Sequence, residues 1–138
     1  MQVILNKIDQ DFHFEGVGAA GVTVNIDGAA DIGGHNLGVR PMEMMLLGLG
    51  GCMAIDVILI LRKQRIELPD LKITIDAKRI DAIPSIFEAI HLIFHVNEAI
   101  KIEKIQKAIE LSIDKYCSVS AMLSKSADIT FEIQENKQ

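Results

Sequence analysis

The sequence predicts an α+β fold that combines antiparallel sheet with one long central helix. The predicted strands and helices occur in groups and do not alternate along the chain, which is typical of this class. One run of about 20 residues is almost entirely apolar, and several shorter segments alternate apolar and polar residues as half-buried strands do. With 138 residues, of which 49% are hydrophobic, the chain is predicted to form a single domain over residues 1–138.

Three short strands and a loop are predicted before the long helix. Gln2–Lys7 and Phe12–Glu15 have strand-like composition, and Val22–Ile26 alternates as a strand does. A turn signal follows at Asp27-Gly28. Residues 28–38 are small, polar and rich in glycine, so they are predicted to form a loop with little packing of its own.

A long apolar helix is predicted from Pro41 to about Arg65. Proline suits the first helical turn, because an N–H group there would have no partner within the helix. Glu43 and Asp56 lie inside the apolar run, where a lipid bilayer would penalise their charges, so a buried helix is favoured over a membrane span. A helix that is apolar on every side needs cover on every side. A chain of this size can barely supply that cover, which predicts a homodimer.

Two further strands, a helix and a last strand complete the predicted fold. Leu71–Ile80 and Ile86–Val96 show the patterns of a strand pair. Apolar residues recur at three- and four-residue steps over Ile102–Tyr116, which predicts a helix with one apolar stripe. The segment after Cys117 either continues this helix or begins a new short one. Ala127–Glu135 is the last predicted strand.

Composition excludes several classes of function. The net charge is −5 and the basic residues are scattered, which argues against a nucleic-acid partner. No secretory signal pattern opens the sequence, so we expect a cytoplasmic protein without a membrane partner. The four histidines are scattered and no CxxC pair is present, so no zinc pattern is recognisable. In a cytoplasmic chain, the two cysteines are expected to be reduced or redox-active.

Cys52 lies in the apolar helix beside residues that weaken it. A free cysteine is often a small buried hydrophobic residue without chemistry. However, Gly48, Gly50 and Gly51 each cost a helix about 0.5–1 kcal/mol relative to alanine, so the local structure needs them for another reason. They permit either the close approach of a second helix or room for a substrate beside the thiol. Both explanations stay open at this point.

The surroundings of the two thiols are predicted to differ. Asp56 follows Cys52 by one helical turn, and its negative charge would disfavour a thiolate unless a cation is nearby. Cys117 would lie beside a helix N-terminus, where a thiolate is favoured, if the chain breaks after Tyr116 and restarts with Ser118 as the cap. If the helix continues without a break, Cys117 is an ordinary helical side chain. The cations that could neutralise Asp56 are Arg40, Arg62 and Arg65.

Two segments resemble a known family. GVRPMEMMLLGLGGCMAIDVILIL, followed by DKYCSVSAML, is similar to the OsmC/Ohr family of osmotically inducible and organic-hydroperoxide-resistance proteins, and most of all to its YhfA-like branch. The order of the predicted elements fits that family along essentially the whole chain. The resemblance implies an α+β sandwich that forms an intertwined homodimer, with the central helices packed at the interface.

The resemblance also implies a chemistry. Characterised members of the family are thiol peroxidases, so Cys52 would be the peroxidatic thiol and Cys117 the resolving thiol, with a Cys52–Cys117 disulfide as the product. The substrate would be a small organic hydroperoxide and the reductant an external dithiol, and no metal or other cofactor is predicted. Two alternatives stay open, namely a non-enzymatic protein that binds a small apolar molecule and a redox sensor.

Two further residues are assigned through the resemblance. In the active peroxidases of the family, an arginine from the N-terminal region and a glutamate next to the proline support the reactive cysteine. Residues 1–39 contain no arginine, so Arg40 is the first that could take that role. Glu43 stands two residues after Pro41, one place later than the family pattern. Negative charge in the first helical turn is favourable, so capping alone would also explain Glu43.

Overall fold

The computed structural model describes residues 1–97 and 100–136. The chain divides into two compact units, Met1–Leu47 and Gly48–Gln138, and the boundary falls within the long helix. The order of elements is that of an α+β protein, as predicted. It comprises β1 (Ile4–Lys7), β2 (Phe14–Val17), β3 (Thr23–Ile26), a 3₁₀ turn (Ala30–Ile32), α1 (Pro41–Lys63), β4 (Leu71–Arg79), β5 (Phe87–Asn97), α2 (Ile102–Leu111), a π turn (Ser112–Tyr116), α3 (Ser118–Leu123) and β6 (Asp128–Asn136).

The first unit is a three-stranded antiparallel sheet followed by a tightly bonded loop. β1 pairs with β2 and β2 with β3, and every residue of β1 is exposed. The predicted loop after β3 is organised by Asp27, whose side chain is buried. Its carboxylate accepts hydrogen bonds from the backbone N–H groups of Gly28 (2.7 Å), His35 (3.0 Å) and Leu37 (3.0 Å). Hydrogen bonds to one buried carboxylate therefore hold a loop that has few large side chains.

The long helix α1 buries one face and leaves another open. Its buried residues are Leu49, Gly50, Met53, Val57 and Leu61. Among the described residues, the opposite face carries exposed apolar side chains, those of Leu47, Ile55 and Leu59. By length and composition α1 could cross a membrane, with a mean hydropathy of 2.3 over an 18-residue window of which 28% is buried. The core helix of a soluble protein, which is mostly buried, passes the same test of length and composition.

The sheet of the second unit has the order β4–β5–β6. β5 is its central strand and alternates buried and partly exposed residues, with Leu92 and Phe94 wholly buried. β4 pairs with β5 in the predicted antiparallel direction, whereas β6 pairs with β5 in parallel. The connection from β5 to β6 runs through α2, the π turn and α3. Such a helical crossover returns the chain to the same end of the sheet, which parallel pairing requires.

The helical segment after β5 departs from the predicted regular helix in its last turn. α2 ends at Leu111, and the backbone then widens into a π turn in which the Cys117 N–H donates to the Ser112 carbonyl at 2.8 Å. The wider turn changes which side chains point inward. Tyr116, predicted to continue the apolar stripe, is 46% exposed. π turns within helices are frequent at functional sites.

Candidate two-cysteine site

The structure brings Cys52 and Cys117 together. Their Sγ atoms and one carboxylate oxygen of Asp56 all lie within 4.8 Å of one another. Both cysteines are free thiols; Cys117 is buried and Cys52 is partly exposed. A disulfide needs about 2.05 Å between the sulfur atoms, so a small movement of the side chains is required to join them. The site therefore combines two thiols and a carboxylate within the second unit.

Gly50 explains part of the glycine cluster before Cys52. A Cβ atom added at Gly50 would lie 2.9 Å from Cδ1 of Ile75 on β4. Gly50 thus permits a close approach of α1 to a strand, whereas the sequence had left open a second helix or room for a substrate. At Gly48 and Gly51 an added Cβ would meet no atom of residues 1–97 and 100–136 within 4 Å, so these two glycines face open space in the described part of the chain.

Cys117 occupies the junction between the π turn and α3. Of the two alternatives that the sequence left open, the break after Tyr116 is the one observed, and Cys117 itself, not Ser118, is the N-cap residue of α3. Its Sγ accepts a hydrogen bond from the Ser120 N–H at 3.3 Å, while the Ser120 hydroxyl donates to the Cys117 carbonyl at 3.1 Å. These contacts fix the Cys117 side chain.

Ser112 is a site residue that the sequence did not reveal. Its side chain is fully buried, and its hydroxyl donates to Oδ2 of Asp56 at 2.9 Å. Ser112 also accepts the π-turn hydrogen bond from Cys117 through its carbonyl. One residue therefore links the carboxylate on α1 to the backbone that carries Cys117. A serine in an amphipathic helix gives no signal of this role in the sequence.

The protonation of Cys117 follows from its surroundings. Burial raises the pKa of the Cys117 thiol above its ordinary value, and its hydrogen bond to the Cys52 sulfur raises that pKa further. The Ser120 N–H and hydroxyl act in the opposite direction but do not outweigh burial. Cys117 thus keeps its proton at neutral pH, and the predicted effect of a helix N-terminus on it is overcome.

Arg40 and Glu43 lie together in the first unit. The Arg40 N–H donates to Oε2 of Glu43 at 2.8 Å, so Glu43 caps the start of α1. The Arg40 guanidinium donates to the carbonyls of Gly38 (3.2 Å) and Asp27 (3.4 Å) and to the Asn36 side chain. These bonds hold Arg40 to the loop of the first unit. Whether either residue supports Cys52 stays a prediction.

The remaining arginines near the end of α1 are occupied or exposed. Arg62 pairs with Glu67 at 3.4 Å between Nε and Oε2, and the side chains of both are mostly exposed. Arg65 is exposed in a left-handed turn with φ of 60°. Within the described part of the second unit, residues 48–97 and 100–136, no basic side chain forms an ion pair with Asp56. Its one hydrogen bond there comes from Ser112.

Sequence comparison relates most of the chain to one family. The family model for OsmC-like protein matches residues 34–132. YhfA of Escherichia coli K12 is 37% identical over 118 residues, which is 85% of either chain. The matched segment contains both cysteines, Asp56 and Ser112.

Structural comparison gives the same fold. A hypothetical protein from Aquifex aeolicus VF5 superposes with a TM-score of 0.80 at 30% identity, over 99% of this chain and 97% of the other. OhrB, the organic hydroperoxide resistance protein of Bacillus subtilis, superposes with a TM-score of 0.69 over 96% of each chain. The second likeness is at 17% identity and concerns the fold alone.

Proposed function

Because this chain belongs to the OsmC-like protein family, we propose that it is a thiol peroxidase that reduces organic hydroperoxides through Cys52 and Cys117. The family is known for organic hydroperoxide resistance, the property for which OhrB of Bacillus subtilis is named. The observation that carries the proposal is the approach of two free sulfur atoms to within 4.8 Å from segments far apart in sequence.

Cys52 is the thiol that would react first. It is partly exposed, whereas Cys117 is 2% exposed and has a raised pKa that keeps its proton in place. The Cys52 thiolate attacks the terminal oxygen of the hydroperoxide, so that an S–O bond forms as the O–O bond breaks. The alkoxide leaves and takes up a proton to become the alcohol, and Cys52 is oxidised to a sulfenic acid.

Cys117 would complete the oxidation. Its sulfur attacks the sulfenic sulfur of Cys52, the S–S bond forms and the hydroxyl group leaves as water. An external dithiol then reduces the Cys52–Cys117 disulfide by exchange, and is itself oxidised to a disulfide. Both cysteines return to thiols, so the cycle consumes one hydroperoxide and one dithiol.

Arg40 and Glu43 are proposed as supporting residues. In this role, Arg40 would favour the thiolate of Cys52 and Glu43 would orient the arginine. The test is the rate at which iodoacetamide alkylates Cys52 in an Arg40→Ala variant. Slower alkylation than in the unmodified protein supports the role, and an unchanged rate contradicts it.

A second copy of the chain is the proposed partner. The exposed face of α1 carries Leu47 (57% exposed), Ile55 (61%) and Leu59 (50%), with Gly48 and Gly51 among them. A contiguous apolar face of this kind marks an interaction surface in a soluble protein, and proteins of this family are soluble. A homodimer in which α1 meets its copy would cover it.

The activity is tested by following the thiols during oxidation. The reduced protein is treated with one equivalent of cumene hydroperoxide, and intact mass and free thiols are measured over time. We expect both thiols and two hydrogen atoms to be lost rapidly, and repeated turnover when a dithiol is supplied. Thiols that persist through prolonged exposure would exclude the peroxidase.

Two variants separate the roles of the thiols. In Cys117→Ser, the sulfenic acid of Cys52 has no partner, so dimedone should trap it on one residue. In Cys52→Ser, the remaining buried thiol should react slowly and give no dimedone adduct. Equal trapping in the two variants would contradict the assignment of Cys52 as the first thiol to react.

A further inference from the structure

We propose that Cys52, Asp56 and Cys117 form a binding site for a thiophilic divalent cation of the zinc class. The inference goes beyond the proposed peroxidase activity and does not rest on it. Cysteine sulfur atoms and carboxylate oxygens are ligands of zinc in proteins, and thiolate ligands select zinc over calcium or magnesium. Three protein ligands leave a fourth position for water or another small ligand.

The distances are close to those of a tetrahedral site. The three donor atoms lie within 4.8 Å of one another. Zinc–sulfur bonds of about 2.3 Å at a tetrahedral angle separate two sulfur atoms by about 3.8 Å. Side-chain rotations that draw the donors together by about 1 Å or less would therefore enclose the ion. Cys52 and Asp56 are four residues apart on α1, so one helix face presents both donors.

The surroundings of the three donors also fit a cation. The fully buried Ser112 hydroxyl donates to Oδ2 of Asp56 at 2.9 Å, and this one hydrogen bond uses only part of the carboxylate's capacity to act as a donor to a metal. Such a second-shell hydrogen bond orients a metal-binding carboxylate. All three donors are negative when deprotonated. Among the described residues of the second unit, no basic side chain pairs with Asp56 to balance that charge.

The binding reaction is a simple exchange of protons for metal. The Cys52 and Cys117 thiols each lose a proton to solvent, and the carboxylate of Asp56 binds as it is. No electron is transferred. Because both sulfur atoms would be engaged by the ion, zinc should protect them from alkylation and from oxidation.

Cobalt(II) is the probe for this site, since it replaces zinc and is coloured. The reduced full-length protein, never exposed to hydroperoxide, is titrated with cobalt(II). We expect one ion per chain, a thiolate-to-cobalt charge-transfer band in the near ultraviolet and strong tetrahedral bands in the visible. Zinc should displace the cobalt and abolish these bands. Absence of the bands in the fully reduced protein would overturn the proposal, whatever the outcome of the peroxidase assay.

Variants then test each donor. Cys52→Ala and Cys117→Ala should each lose the charge-transfer band or reduce it strongly. Asp56→Asn, with circular dichroism to confirm folding, should weaken zinc binding by at least about tenfold, and Ser112→Ala by about tenfold. Asp114→Asn is the matched control, because Asp114 is an exposed carboxylate of the π turn outside the donor set. Zinc affinity that is the same in Asp56→Asn and Asp114→Asn would contradict the three-donor site.

Discussion

At the residue scale, the hydroxyl of Ser112 stabilises the second unit through a hydrogen bond to a charged group. It donates to Asp56 at 2.9 Å from a fully buried position. We expect Ser112→Ala to lower the free energy of unfolding by about 1.5–3 kcal/mol, because the carboxylate loses its partner. Urea unfolding at neutral pH measures the change.

Ser124→Ala is the control for this prediction. The Ser124 hydroxyl donates to a backbone carbonyl at 3.3 Å from an exposed position, so its loss should cost less than about 0.5 kcal/mol. Equal effects of the two substitutions would show that the bond between Ser112 and Asp56 contributes no stability of its own.

Asp27 makes the stability of the first unit depend on pH. The Leu37 N–H lowers the pKa of the Asp27 carboxyl below its ordinary value of 3.8, against the opposing effect of burial. The pKa is lowered further by the N–H groups of His35 and Gly28 and by the charge of His13. A carboxyl whose pKa is lowered by folding contributes its stability above the ordinary pKa and loses it as the pH falls through the folded pKa.

The Asp27→Asn variant tests this dependence. We expect a lower urea midpoint than in the unmodified protein at neutral pH, because an amide NH₂ group would face backbone N–H donors. The difference between the two proteins should be constant down to about pH 5 and narrow below about pH 4. A difference that stays constant through the acid range, or no difference at neutral pH, would contradict the role assigned to Asp27.

From the sequence, a site residue could be recognised only where its residue type is unusual for its position. The chain has two cysteines, and a thiol among glycines in an apolar run invites a chemical explanation. Asp56 was visible as a charge within the same run. Ser112 and Ser120 were not, because serine is common on surfaces. Their roles depend on the π turn and on the break before α3, which bring them to Asp56 and Cys117.

At the element scale, the long and regular segments could be predicted from the sequence. The apolar run after Pro41 predicted the end of α1 within two residues of its observed position at Lys63. The alternation of apolar and polar residues predicted the bounds of β4 and β5 closely. The direction of β6 could not be predicted. Its alternating Ile129, Phe131 and Ile133 bury the same face whether the strand pairs in parallel or antiparallel. The long helical connection before it determines the direction, through the crossover that the connection makes.

The substitution Gly51→Ala tests whether α1 packs against its copy in a second chain. A Cβ added at Gly51 would meet no described atom within 4 Å, and alanine improves helix propensity by about 0.5–1 kcal/mol. Gly51→Ala should therefore stabilise an isolated chain. If two α1 helices approach closely at this face, the methyl group will separate them. We expect the dimer of Gly51→Ala to dissociate at higher protein concentration than the unmodified dimer in analytical ultracentrifugation.

Gly18→Ala is the matched control, because an added Cβ there also meets nothing within 4 Å and the residue lies outside α1. It should leave the dissociation constant unchanged. A dimer that becomes tighter in Gly51→Ala, or that responds equally to the two substitutions, would show that the open space beside Gly51 is not filled by a second helix.

At the scale of the whole molecule, exposed apolar residues occur in both compact units. In the first unit, Ile4 and Leu5 on β1 are 55% and 57% exposed. A small sheet needs three or more strands with a hydrophobic face, or packing against a helix, to be stable on its own. In the second unit, Ile55 and Leu59 on α1 are 61% and 50% exposed. Each unit therefore exposes large apolar side chains of the kind that mark an interaction surface.

A substitution at Ile55 is the most direct test of the exposed face of α1 as a dimer interface. If α1 meets its copy at this face, Ile55→Glu would bury a charge of each chain in the interface. We expect light scattering after gel filtration to give the mass of a dimer for the unmodified protein and of a monomer for Ile55→Glu.

Ile83→Glu is the control, since Ile83 is fully exposed in the loop between β4 and β5 and this substitution should keep the dimer mass. A dimer that survives Ile55→Glu would show that the exposed face of α1 is not the dimer interface, and a monomeric unmodified protein would exclude the dimer itself. Because the two substitutions add the same charge to the same residue type, any difference between them reports the position of Ile55 and not a general effect of charge.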